Sequence, residues 1–319
     1  MLTAHPPDAQ GSLAPHAGAA WVDLLNASEA ETVQIESLIG LDLPSREELA
    51  EIEPSSRLSF TAGVLRLAGP VIAQADTDRP ILSQIGVILT RERLVTIRFD
   101  DLQVFDWLPH KIDTGEVPAS GPAIFTSLME AVIGRLADLL EMSRAHLDEV
   151  SHHVFRTPTD APLRLSRSTA AMREKLQRLG RIGERTSMIR ETLLAIDRMI
   201  AFALETARDW FEPALDERLA AARSDVDSLN LFEEHLLGKV QFLLDAVLGL
   251  ISIEQNDIFK VLTIASVVGI FPTLVAGWYG MNFANMPEYH WAWGYQFGVG
   301  AIVLSTVLPL VWFKWRGWM

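Results

Sequence analysis

The sequence contains no cysteine. Disulfide staples and thiolate metal sites are therefore excluded. No proline lies between Pro213 and Pro272, and glycine is sparse before Gly249, so little in that stretch breaks a helix. Positive charge is in short supply: 27 basic residues against 41 acidic ones leave a formal charge of −14. That balance disfavours nucleic-acid binding, which needs a basic face, and suits a protein that handles cations. GxSxG, GxGxxG and Walker patterns are absent, and the adjacent His152 and His153 have no further ligands at metal-site spacing. Carboxylates are plentiful but fall on mixed helix faces, so the reading is of a non-enzyme. Residues 1–19 hold Pro6, Pro7 and Pro15, no Lys or Arg and no apolar run. They do not read as a secretory leader, and a flexible tail is expected there.

Two runs of 19 residues, 261–279 and 295–313, carry no charge. Each spans roughly 30 Å as a helix, the thickness of a bilayer core. Trp278, Tyr279, Trp291, Trp293 and Tyr295 flank one side, and Trp312, Trp315 and Trp318 the other, as interfacial aromatic belts do. Lys260, Lys314 and Arg316 flank the spans, while 280–294 has no Lys or Arg. The positive-inside rule places both termini in the cytoplasm and the loop outside, as in a plasma (cell inner) membrane protein. Two helices enclose no aqueous path within one subunit, so transport requires an oligomer. Gly294 and Gly298 form a GxxxG pattern, which lets helices approach closely but is common in membrane helices anyway.

A helix is expected to start at Pro213. Leu215, Leu219, Val226, Leu229, Leu236, Val240, Leu243, Val247 and Leu250 recur at steps of three, four or seven, with Ala222 and Glu233 interrupting the seam. The pattern predicts a packed helix continuous to Tyr279, a rod of about 100 Å. Further along, Asn256, Thr263, Ser266 and Thr273 share one third of the circumference with Phe259, Ile270 and Gly277. A polar stripe on an apolar helix, followed by Asn282, points to a pore lining. Backbone hydrogen bonding by the Ser and Thr hydroxyls is the plainer alternative.

Upstream, 20–25 reads as a strand, and Ser28 with Glu31 and Ser45 with Glu48 read as capping boxes. Two strands turning at Gly63, then a hairpin over 81–99, complete an α/β domain spanning 20–120. A helical hairpin follows over 121–212, broken near Pro158 and Pro162. Its second helix is rich in arginine, including Arg173, Arg178, Arg181 and Arg185, and is read as a solvated or acid-paired face. The remaining segments are a stalk helix 213–260, a first membrane helix 261–279, a loop 280–294, a second membrane helix 295–313 and a basic end 314–319.

Tyr279-Gly280-Met281-Asn282-Phe283, Met286-Pro287-Glu288, Trp291, Gly294-Tyr295 and the closing Phe313-Lys314-Trp315-Arg316-Gly317-Trp318 resemble the CorA magnesium and cobalt transporter family. Glu254-Gln255-Asn256, Phe259-Lys260 and Phe271-Pro272-Thr273 extend the match upstream. The resemblance implies an α+β cytoplasmic domain, a long stalk helix and two transmembrane helices. Five identical copies would form a funnel, the first membrane helix lining its pore and the bilayer surrounding it. It implies an entrance ring from Gly280, Met281 and Asn282, which holds a hydrated cation, with polar rings at Thr273 and Asn256. Hydrophobic constrictions are implied at Phe259, Leu262 and Ile270. Glu288, the only acid of the loop, would attract cations from outside, since Ala284 and Asn285 stand where many members carry acidic or bulky residues. Mg2+ is implied both as cargo and as a regulatory ion between subunits, with no organic cofactor. Glu51 lies near one regulatory acidic position. Ala221 occupies the partner position, leaving Asp225 and Asp227 nearby and Asp245 as a further acidic match. The expected activity is Mg2+ influx driven by membrane potential, extending to Co2+ and Ni2+. The alternatives are a zinc transporter of the same superfamily and a membrane-anchored scaffold that conducts nothing.

Overall fold

The computed structural model describes residues 2–5, 19–40, 42–50, 57–77, 79–155, 165–281 and 286–318. The chain forms two compact units: Met1–Leu163 with Arg173–Leu244, and Arg164–Met172 with Asp245–Met319.

In the first unit, the alternating apolar runs form strands β1 (Leu2–His5), β2 (Trp21–Leu25), β3 (Leu58–Thr61), β4 (Val64–Ala73), β5 (Ile81–Leu89) and β6 (Leu94–Arg98). They make one sheet in the order β1-β2-β6-β5-β4-β3. β2 and β6 pair in parallel, and the other neighbours are antiparallel. The tail expectation fails at Leu2–His5, which pair with β2 from Leu2↔Leu24 to His5↔Trp21. The edge of β2 away from β6 offers free backbone groups, and a short strand satisfies them despite the prolines that follow. Gly63, at φ 76°, makes the turn between β3 and β4. β4 continues through Pro70, which lies beyond the last described β3 pair, Leu58↔Leu67.

Helices α1 (Glu29–Ile39) and α2 (Arg46–Ala50) cover one face of the sheet. Ile35, Leu43 and Leu49 pack there with Val22, Leu24, Ile88, Val95 and Ile97. Both capping boxes form. The Ser28 hydroxyl accepts from the Glu31 amide while Glu31 accepts from the Ser28 amide at 2.9 Å. Ser45 and Glu48 exchange the same pair of bonds at 2.7 and 3.3 Å. The bonds from Ser28 hold the Glu31 carboxyl below its ordinary range.

The opposite face carries a buried polar network. The Trp21 indole donates to Thr96 Oγ1 at 3.0 Å, and Thr96 donates to Asp23 at 2.6 Å. Arg98 grips the same carboxylate through Nε and Nη2 at 3.0 and 2.9 Å. Its guanidinium lies 4.3 Å from the Phe105 ring centre. Phe105 belongs to α3 (Val104–Asp113), a helix absent from the reading of the sequence. Val104, Phe105, Leu108 and Ile112 are buried at helical spacing, but the interior Pro109 conceals that period.

Three long helices follow: α4 (Gly121–Phe155), α5 (Leu165–Thr206) and α6 (Pro213–Tyr279). The break expected at 157–162 lies outside the described residues. Ion pairs set the register. Arg178 pairs with Glu149 between α4 and α5. Arg223 and Asp197 meet at 2.8 Å between α5 and α6, and Arg218 and Glu130 at 2.5 Å between α4 and α6. Hydrogen bonding to Arg178 holds the exposed Glu149 carboxyl below its ordinary range. The predicted seam of α6 is buried at Leu219, Ala222, Val226, Leu236, Val240, Leu243 and Val247.

Glu233 occupies that seam at 1% exposure. One carboxylate oxygen lies 3.5 Å from Arg190, and the other has no partner among the described residues. Loss of hydration pushes its pKa up from 4.5, against the pull of Arg190. A carboxyl raised in the folded state contributes stability below its unfolded pKa and loses it as pH rises through the folded value. Glu233→Gln keeps the shape of the neutral acid. Its thermal stability relative to the parent is therefore expected to improve as pH rises from about 4.5 to 8. Unfolding temperatures measured across that range check this; a difference that does not widen with pH contradicts it.

Candidate functional site

The second unit contains the last part of α6 and the whole of α7 (Gly294–Trp315). Both α6 and α7 are long and apolar enough to cross a membrane. α6 has no break between Pro213 and Tyr279, as its sequence predicts, and Pro272 does not interrupt it.

Asn256, Thr263, Ser266 and Thr273 are exposed in the single chain. Phe259, Leu262 and Ile270, on the same third of the helix, are 64%, 59% and 57% exposed. So large an apolar surface must be covered by lipid or by other copies. Thr263 donates its hydroxyl to the Phe259 carbonyl at 2.7 Å, and Thr273 to the Gly269 carbonyl at 2.7 Å. The plainer reading of these hydroxyls thus holds for their hydrogens. It leaves the oxygen lone pairs as outward acceptors, the polarity that the protons of cation-bound water require.

The helix ends where the Gly-Met-Asn motif begins. The Gly280 amide donates to the Ala276 carbonyl at 2.9 Å and the Met281 amide to the Trp278 carbonyl at 3.4 Å. The last carbonyls of a helix carry roughly half a negative charge, which favours a cation. Gly280 and Met281 therefore sit at a cation-attracting end. Asn282 lies outside the described residues, as do 283–285.

The chain resumes at Met286 and makes a 3-10 turn over Pro287–His290. Glu288 is half-buried in that turn, and its backbone carbonyl accepts from the Trp291 amide at 3.3 Å. A β-carbon at Gly294 would collide with the same carbonyl, whereas one at Gly298 would meet nothing within 4 Å. Gly294 is thus explained by its own loop, without a second helix. Tyr279 and Trp291 both pack edge-on against Phe297, at 6.4 and 5.8 Å between ring centres. This clamp joins the two ends of the loop. Phe297 was not singled out from the sequence, although an aromatic one turn into α7, after Tyr279 at the end of α6, is a legible signal. At the other end of α7, Phe313 stacks on Trp318 at 5.4 Å, and Arg316 lies 5.3 Å from the Trp312 ring centre.

Of the four acids expected to bind a regulatory ion, the three described ones do not come together within one chain. Glu51 lies outside the described residues. Asp225, Asp227 and Asp245 are exposed on α6. Two residues turn a helix by about 200°, so Asp225 and Asp227 face different ways, and Asp245 is about 30 Å from Asp225 along the axis. No cluster of three or more His, Asp or Glu side chains suited to a metal occurs among the described residues. His152 and His153 are both exposed.

A family profile for CorA-like Mg2+ transporter proteins matches residues 16–315. The chain is 30% identical over 307 residues to the magnesium transport protein CorA of Wolinella succinogenes, covering 94% of this chain and 91% of that one. It is 29% identical over 306 residues to the protein of the same name from Escherichia coli, covering 96% and 93%. Among solved structures it resembles the complete CorA magnesium transporter of Methanocaldococcus jannaschii, with a TM-score of 0.74 at 17% identity, covering 94% of this chain and 91% of that chain. Matched by a family profile over residues 16–315 and by a relative 30% identical over 94% of its length, the chain belongs to the CorA-like Mg2+ transporter family.

Proposed function

We propose that this protein is a homopentameric channel of the inner membrane that passes Mg2+, and also Co2+ and Ni2+, into the cytoplasm down the electrical gradient. The observation that carries the proposal is the stripe of α6, whose outward oxygens lead to the Gly280-Met281 helix end. Mg2+ gives up its water reluctantly. Neutral oxygen acceptors can hold the hydrated ion through its water protons, and they bind weakly enough to release it. In the pentamer Asn282 forms the outer ring, with Thr273, Ser266, Thr263 and Asn256 below it, while Ile270, Leu262 and Phe259 narrow the path. Glu288 draws cations towards the mouth. No nucleotide-driven step is needed, because two charges gain about 4.6 kcal/mol per 100 mV of membrane potential.

Feedback fits the same arrangement. Mg2+ bound between subunits at Glu51, Asp225, Asp227 or Asp245 offsets carboxylate repulsion and favours a closed state. Both termini lie in the cytoplasm.

Competition uptake in proteoliposomes tests the choice of metal. Mg2+ entry should be inhibited by Co2+ and Ni2+ and resist Zn2+. Preferential Zn2+ entry would instead establish a zinc transporter, and absence of all flux a scaffold.

A further inference from the structure

The chain is strongly acidic overall, at −14, yet one groove in its first unit is lined by four arginines. The groove holds about 900 Å3 and lies between the β4–β5 turn, α4 and α5. The turn contributes Arg79, α4 contributes His146, and α5 contributes Arg178, Arg181 and Arg185. Among the described lining residues Glu184 is the single carboxylate. The three α5 arginines are spaced i, i+3 and i+7, which puts them on one face.

Their neighbours hold them unequally. Arg178 is committed to Glu149. Arg185 donates to the Thr77 carbonyl at 3.0 Å, which fixes the turn against α5. Arg79 and Arg181 are exposed, and neither has an ion pair among the described residues. Elsewhere in the same bundle the basic side chains Arg218, Arg223 and Lys239 each meet an acid. Guanidinium groups gathered round one groove repel each other, and a multivalent anion removes that repulsion. The planar guanidinium fork also matches phosphate oxygens two at a time. A concave site takes a compact anion with closely spaced charges better than it takes a flat acidic surface.

We propose that this groove is a binding site for a soluble polyphosphate anion, one with several linked phosphate groups. Among the described lining residues there is no Phe, Tyr or Trp ring for a base to stack on, so recognition is chiefly of the phosphate chain.

Calorimetric titration of inorganic tripolyphosphate into the purified full-length protein in detergent, in metal-free buffer at roughly 0.15 M salt, tests this. One saturable site per chain is expected, with inorganic phosphate binding at least tenfold more weakly. The Arg79→Glu/Arg181→Glu double variant should lose at least tenfold in affinity with its elution volume and helix content unchanged. Should that variant change its assembly, the neutral pair Arg79→Gln and Arg181→Gln should each still weaken binding. No saturable binding by the parent protein, or equal binding by parent and neutral variants, overturns the proposal. Loss of the oligomer in the variants without tripolyphosphate binding by the parent would assign the groove to a second copy and also overturn it. Metal flux does not enter these readouts, so the proposal stands or falls separately from the transport assignment.

Discussion

Asn282→Ala is expected to lower the initial rate of Mg2+ entry into proteoliposomes by more than tenfold at a fixed potential. The substitution removes an acceptor from every subunit of the proposed ring. At about 0.5–1.5 kcal/mol per hydrogen bond, five lost acceptors amount to several kcal/mol. A tenfold change in rate needs only about 1.4 kcal/mol, so the predicted fall survives considerable compensation by water. The loss should be greater than for a comparable change at Glu288, whose charge acts at longer range and is screened by salt. Selective Mg2+ flux at the parental rate in Asn282→Ala would remove the Gly-Met-Asn ring from the mechanism.

The second large effect concerns the fold. Asp23→Ala is expected to destabilise the protein by about 3–5 kcal/mol, the cost of stranding one partner of a buried ion pair. Asp23 and Arg98 are 5% and 9% exposed at their side chains. Removing the carboxylate takes away the acceptor of Thr96 and three hydrogen bonds from Arg98. Among the described residues Arg98 then keeps hydrogen bonds to the Asp101 carboxylate at 3.2 Å and the Asp100 carbonyl at 3.3 Å, beside its contact with the Phe105 ring. Asp23→Asn preserves shape and some hydrogen bonds, so it should fall between the parent and Asp23→Ala. Thermal unfolding of the three proteins in the same detergent gives the order. A loss below about 1 kcal/mol for Asp23→Ala, the size of an exposed pair, would show that the network contributes little.

The parts of the fold legible in the sequence are those written in local patterns. Uncharged runs marked the membrane-length helices, the absence of proline marked α6 as continuous, and the two Ser–Glu pairs marked α1 and α2. Features that depend on distant partners were not legible. Asp23 meets Arg98 across 75 positions, and nothing near either residue announces the other. The strand Leu2–His5 was hidden by the prolines after it, because composition over a window outweighs four residues. α3 was hidden by Pro109. Glu233 was visible as an interruption of the seam, but burial, and the pKa displacement that follows from it, depends on packing of the three helices. The arginines of α5 read correctly as an acid-paired face at Arg178, whereas the turn that brings Arg79 to the same groove as Arg181 could not be seen from spacing within α5.

For the candidate site the division is similar. Periodicity alone placed the polar stripe on one face of α6, and the structure adds that two of its hydroxyl hydrogens are already used. The acids proposed to bind regulatory Mg2+ are not brought together by one helix, which spreads Asp225, Asp227 and Asp245 over different directions and heights.

Voltage-dependent Mg2+ uptake by the purified protein in sealed liposomes tests the account most directly. With an inside-negative potential imposed, uptake should begin without any nucleotide, rise with the size of the potential and collapse when the potential is removed. No Mg2+ uptake at any potential, or uptake indifferent to it, would contradict the reading of a central aqueous path for a hydrated divalent cation.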